Sequence, residues 1–201
     1  QARFSSSDAA EINQQLRVDV LAGGYKPVDR ASDSDYQPGD NVVTILAMGA
    51  MIPEVLEASD LLAADHGIHA DVVVVTSADL LLGRFAERND YAQLHQLGIN
   101  GELQLNAAGG EIGAALSTAD TVCLAARFVP LVSVADGEQG LLDNAGSIVG
   151  VPQIALATTK FSKCGRPDQV YAYHQMDAAA IVDASQQVLT RTAAREVRIQ
   201  R

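Results

Sequence analysis

Tryptophan is absent from this sequence, and aromatic residues make up only 4% of it. Packing therefore falls to Ala, Val and Leu, side chains small enough to let helices lie close on a sheet. Cysteine is scarce too. Cys123 and Cys164 are the only 2 and stand far apart, which excludes a disulfide framework or a zinc-binding cysteine set and fits a reducing, cytoplasmic setting. No apolar run approaches the roughly 18 residues of a spanning helix, so no membrane partner is expected. Residues 1–20 are polar and mixed in charge, unlike a secretory signal. Basic charge is also short: 14 Lys and Arg against 25 Asp and Glu leave a net charge of −11. A nucleic-acid partner needs a basic patch. The one basic run, Arg191, Arg195, Arg198 and Arg201, reads as a solvated tail.

What is present is organised around residues 41–75, NVVTILAMGAMIPEVLEASDLLAADHGIHADVVVV. A β-branched apolar run ends at Gly49 and a second begins at Ala70. Between them Ile52, Val55, Leu56, Leu62 and Ala63 share one helical face. Pro53 suits a first helical turn and Gly67 a left-handed stop. Two continuous apolar strands joined by a helix predict a parallel sheet buried on both faces.

The same alternation continues. Thr76 and Ser77 can cap a helix running to about His95, interrupted by Gly83; residues 100–110 read as a loop and 111–128 as one or two helices. Strands are predicted at 129–135 and 153–158. A helix from Leu141 to Val149, ended by Gly150, lies between them. After a polar loop over 160–167, a last helix from Asp177 to Leu189 has Asp177 as its cap. This is a three-layer α/β/α domain with a mainly parallel sheet. It divides as a leader over 1–40, holding a short helix capped by Ser7 or Asp8, the α/β domain over 41–190, and a basic tail over 191–201.

Sites are sparse. The turn Met48-Gly49-Ala50-Met51 stands where a dinucleotide fold puts its phosphate loop, but one glycine followed by Met51 reads as a plain tight turn. Cys123, in TVCLAA, reads as a small buried hydrophobe. Cys164 lies beside Lys163 and Arg166, cations that favour a reactive thiolate, against the simpler reading of an incidental loop thiol. His66 and His69, near Asp65 and Asp71, do not share a helix face and read as solvated. Asp136, Glu138 and Asp143 follow the third predicted strand, at the edge where open α/β sheets bind ligands. Asp136 either faces such a site or caps the helix that follows.

LAGGYKPVD, the strand ending in Gly49-Ala50, ADVVVVTSADLL, and VPQIALATTKFSKCGRPDQVYAYHQMDAAAIVDASQQVL together resemble the carboxyl-terminal domain of thiamine-diphosphate enzymes of the transketolase superfamily. The pattern is closest to the homodimeric 2-oxoacid (pyruvate) dehydrogenase decarboxylating components. It covers residues 21–189 and is sharpest at Val75-Thr76-Ser77 and over Phe161 to Gly165. Ser162 and Cys164 depart from the family's Gly and Ser, and EQGLL after Gly137 stands where relatives often carry histidines. The resemblance implies a support domain that strengthens a homodimer and borders the substrate channel, with Asp136, Glu138 and Cys164 as possible channel-lining residues. It implies that thiamine diphosphate and magnesium are held by preceding domains of the same polypeptide, and that a lipoyl-bearing acyltransferase is a possible partner. No catalytic, cofactor-binding or metal residue is expected in this chain, which starts at Gln1 and is expected to be a piece of a longer protein. The alternatives are the same domain from a sugar-phosphate transketolase, or a free-standing module that binds a small ligand.

Overall fold

The computed structural model describes residues 9–82, 92–99 and 129–199. The cap expected at Ser7 or Asp8, the interruption at Gly83, the loop over 100–110, the helical stretch over 111–128 and Cys123 lie outside them. Among the described residues, β1 (Gly24–Val28), β2 (Val42–Met48), β3 (His69–Val75), β4 (Leu131–Glu138) and β5 (Gln153–Thr158) form one sheet in the order β1-β3-β2-β4-β5. β2 pairs in parallel with β3 and β4, and β4 with β5, while β1 runs antiparallel to β3. The predicted three-layer, mainly parallel architecture is the one observed.

The central strands β2, β3 and β4 feed two cores because side chains alternate across the sheet. Val43, Ile45 and Ala47 of β2 face α2 (Ile52–His66) and α7 (Ala178–Ile199), meeting Val55, Leu62, Ile181 and Val188. On the opposite face Leu46, Val73 and Leu131 meet Leu81 of α3 (Ala78–Leu81), Leu94 of α4 (Ala92–Gln96) and Val149 of α5 (Ala145–Val149). Helix ends follow local chemistry. Pro53 stands in the first turn of α2, and Gly67 ends it at φ 63° with its N–H on Leu62 O. Gly150 ends α5 at φ 79°. Ser77 Oγ accepts from Leu80 N at 3.3 Å, and Asp177 Oδ1 from Ala180 N at 3.3 Å. Glu54 Oε2 accepts from Ala178 N at 3.0 Å, so α2 supplies a second cap to its neighbour α7.

The differences from the sequence reading have local causes. The stretch read as a leader supplies α1 (Ala9–Leu21) and the edge strand β1. Gly24 and Pro27 look like breakers, but an edge strand tolerates a residue without an N–H, and the register shifts between Tyr25 and Val28. Leu56, expected on the buried face of α2, is 36% exposed, and Ala58 and Ser59 lie inside instead. Ser59 can be buried because its hydroxyl donates to Ala70 O at 2.9 Å and accepts from Arg30. The segment after the 160–167 loop forms a helix not foreseen, α6 (Pro167–His174), with Pro167 in its first turn and the Gln169 side chain accepting from Arg166 N at 3.3 Å. α7 continues into the expected tail, since nothing over 190–199 (TRTAAREVRI) is a glycine or proline that would stop it.

Candidate functional site at the carboxyl rim of the sheet

β2 has β3 on one side and β4 on the other. The chain thus leaves β2 in one direction through α2 and returns on the opposite side at β4. The crevice between the carboxyl ends of β2 and β4 is a topological switch point, where open α/β sheets place their ligands. Gly49 and Ala50 stand on one side of it and Asp136 on the other.

Asp136 fills that crevice. Its Oδ2 accepts a hydrogen bond from Ala50 N at 2.9 Å, so a carboxylate from β4 covers the first turn leading into α2. A negative charge there meets the positive end of the helix dipole. Gly49 is needed twice over: its φ is 70°, and a Cβ would run into Asp136 Oδ1 and Cγ. The sequence left Asp136 between a site and a cap for the helix that follows it. It caps the earlier turn before α2, across the sheet. The place where a related architecture cradles a phosphate is occupied by this chain's own carboxylate.

Glu138 is exposed at the end of β4, paired by register with Thr158. With Asp143 it borders a shallow dent floored by Ser133, Ala135 and Ala155. The floor is tied down by Gln153, whose Nε2 donates to Ser133 Oγ at 2.7 Å and to Leu142 O at 2.6 Å. Cys164 is an exposed free thiol in the loop after β5. The two cations next to it in sequence are engaged elsewhere: Lys163 Nζ lies 4.6 Å from the Tyr173 ring centroid, and Arg166 Nη2 pairs with Asp168 at 2.7 Å. Asp136 and Glu138 therefore share one strand end, and no hydrogen bond or ion pair joins Cys164 to them among the described residues.

The histidines separate as well. His66 Nδ1 is 2.9 Å from Gln186 Nε2, and His69 Nδ1 is 3.1 Å from Asp33 Oδ2. Among the described residues no three His, Cys, Asp or Glu side chains are grouped to hold a metal ion. A diphosphate with its divalent cation needs a glycine-lined backbone cradle and a carboxylate set. Among the described residues, the filled turn at Gly49 and the dispersed donors do not fit one.

A buried polar set lies at the opposite end of β3, built on Asp71 by partners distant in the sequence. Asp71 is 3% exposed. It accepts from Lys26 Nζ and Tyr36 Oη at 3.1 Å each, and from Arg30 N at 2.8 Å. Burial first, and then the Asp71 carboxylate, pushes the Tyr36 hydroxyl well above the usual tyrosine pKa. A lone carboxylate inside the run HADVVVV was the available signal, because a charge on a buried strand requires a partner. The set fastens β1 and the 29–41 segment to β3.

No protein-family model matches the chain, and no curated protein does. Solved structures do. A transketolase mutant from Pichia stipitis with xylulose 5-phosphate matches 88% of this chain and 19% of its own, at TM-score 0.56 and 14% identity. The P. stipitis transketolase with sedoheptulose 7-phosphate matches 87% and 19%, at TM-score 0.54 and 14% identity. A transketolase from Leishmania mexicana matches 86% and 19%, at TM-score 0.53 and 14% identity. The chain shares the fold of a part of these proteins and spans about a fifth of their length.

Proposed function

We propose that this chain is the carboxyl-terminal support domain of a thiamine-diphosphate enzyme of the transketolase superfamily, and that the enzyme is a 2-oxoacid dehydrogenase decarboxylating component. The observation that carries the reading is a fold match over most of this chain to about a fifth of each transketolase, together with a switch point closed by its own Asp136. In this reading the cofactor and its magnesium belong to preceding domains. The domain contributes a dimer surface, and Asp136, Glu138 and Cys164 border the substrate channel. The dehydrogenase assignment rests on the sequence resemblance, above all Val75-Thr76-Ser77 and Phe161 to Gly165.

Acceptor choice by the product of the complete gene tests it. Pyruvate-dependent acetylation of a lipoyl domain is the expected result. Transfer of two-carbon ketol units between sugar phosphates instead would move the protein to the transketolases, a second reading favoured by the identity of the matched structures. A complete gene with no Gly-Asp-Gly…Asn metal motif would overturn both readings in favour of a free-standing module.

A further inference from the structure

The loop between β5 and α6 holds two lysines with no acidic partner among the described residues, in a chain whose net charge is −11. Lys160 Nζ lies 3.9 Å and Lys163 Nζ 4.6 Å from the centroid of the same Tyr173 ring. The ring's negative faces attract both ammonium groups, so two like charges are gathered at one side chain instead of spreading into water. Among the described residues neither is paired with a carboxylate, whereas nearby Arg166 has Asp168.

The base beneath them is fixed. Tyr173 packs edge-on against His174, with centroids 5.0 Å apart at 81°. His174 is 7% exposed and its Nε2 is 3.1 Å from Ser162 Oγ. Tyr173 Oη reaches Phe161 O at 3.5 Å. The loop is thus held at the Phe161 carbonyl and at the Ser162 side chain, yet Phe161 is 95% exposed between the two lysines. An isolated exposed leucine would need no explanation. A phenyl ring held almost wholly in water beside two uncompensated charges does.

The geometry points to Lys160-Phe161-Ser162-Lys163 as a docking site for an acidic segment of a partner protein, whose carboxylates meet the two ammonium groups while an apolar side chain covers Phe161. A free inorganic anion would use the lysines and leave the ring in water. An anionic bilayer is far larger than the loop and would meet the acidic surface around it, whereas a short acidic segment reaches the two lysines alone. This inference is independent of which reaction the proposed parent enzyme performs.

The test titrates the 201-residue chain with a synthetic peptide of alternating glutamate and leucine, followed by amide chemical shifts. Shifts are expected over residues 159–166 and on Tyr173. Affinity is expected to fall about tenfold in K160E/K163E and several-fold between 50 and 300 mM salt, as exposed charge pairs are screened. In F161S it falls about fivefold, with the salt dependence kept. Unchanged far-UV circular dichroism shows that the variants fold. No binding of the peptide overturns the site. So does equal binding of a glutamine-for-glutamate peptide, displacement by inorganic phosphate at equal affinity, binding only to phosphatidylserine vesicles, or self-association that K160E/K163E abolishes.

Discussion

At the scale of single residues, two polar contacts carry more than their number suggests. The first is Asp136 over Gly49. Asp136→Ala removes an exposed cap and is expected to cost about 0.5–1 kcal/mol. Gly49→Ala meets both an unfavourable φ of 70° and the carboxylate, and should cost about 2–3 kcal/mol. In the double variant the clash is gone and mainly the backbone term, about 1–2 kcal/mol, remains. Urea denaturation of all four proteins reads the coupling; strictly additive losses would mean that the two residues do not touch. The second contact is Lys26–Asp71, with side chains 10% and 4% exposed. Lys26→Met leaves a buried carboxylate short of its counter-charge and is expected to cost about 3 kcal/mol. A loss below about 1 kcal/mol would place Asp71 in contact with water.

Tyr36 adds a pH dependence. Its folded pKa is raised above the ordinary value of 10.0 by burial and by Asp71. The unfolded chain therefore releases this proton first, so stability is intact below about pH 10 and falls as pH rises beyond it. Spectrophotometric titration of the 5 tyrosines should show one that ionises later than an ordinary tyrosine, and Tyr36→Phe should remove that late step. A normal titration of all of them would contradict the burial.

At the scale of elements, helical faces are the quantity to probe. Leu62 is fully buried against the sheet while Leu56 is 36% exposed. Leu62→Ala should cost about 2–5 kcal/mol, and Leu56→Ala below about 1 kcal/mol, by thermal or urea unfolding. Equal losses would restore the face expected from spacing alone. That spacing was correct for Val55 and Leu62, because their period is intrinsic to the helix. It erred at Leu56, and it missed Ser59, whose burial is possible because Ala70 O and Arg30, distant along the chain, satisfy its hydroxyl. β1 escaped notice for a similar reason: Gly24 and Pro27 have no strand propensity, and only the neighbouring β3 makes an edge strand of them. α6 was legible in retrospect through Pro167 and Gln169, a weak start signal over a segment poor in strong helix formers.

At the scale of the whole molecule, the described residues include no helix long and apolar enough to cross a membrane. The two faces of the sheet carry separate cores that helices cover. If the chain is the support domain proposed, it self-associates through surfaces outside these cores, and sedimentation should show a dimer at high concentration. Monomer alone at every concentration would count against that role. If preceding domains hold the cofactor, as proposed, calorimetry of the chain with thiamine diphosphate and magnesium should give no saturable heat. Stoichiometric binding would place a cofactor site in this domain after all.

The sequence by itself determined the parallel strand–helix–strand unit, the stops at Gly67 and Gly150, and the cap at Asp177. Each depends on apolar period, backbone freedom or a side-chain hydrogen bond within a few residues. Only the tertiary structure decided that Asp136 reaches Ala50, that Lys26 and Tyr36 meet Asp71, and that the 24–28 segment joins the sheet. Those partners lie far apart along the chain. Which distant groups meet is set by how strands are ordered and layers close, and that order is written in no local pattern.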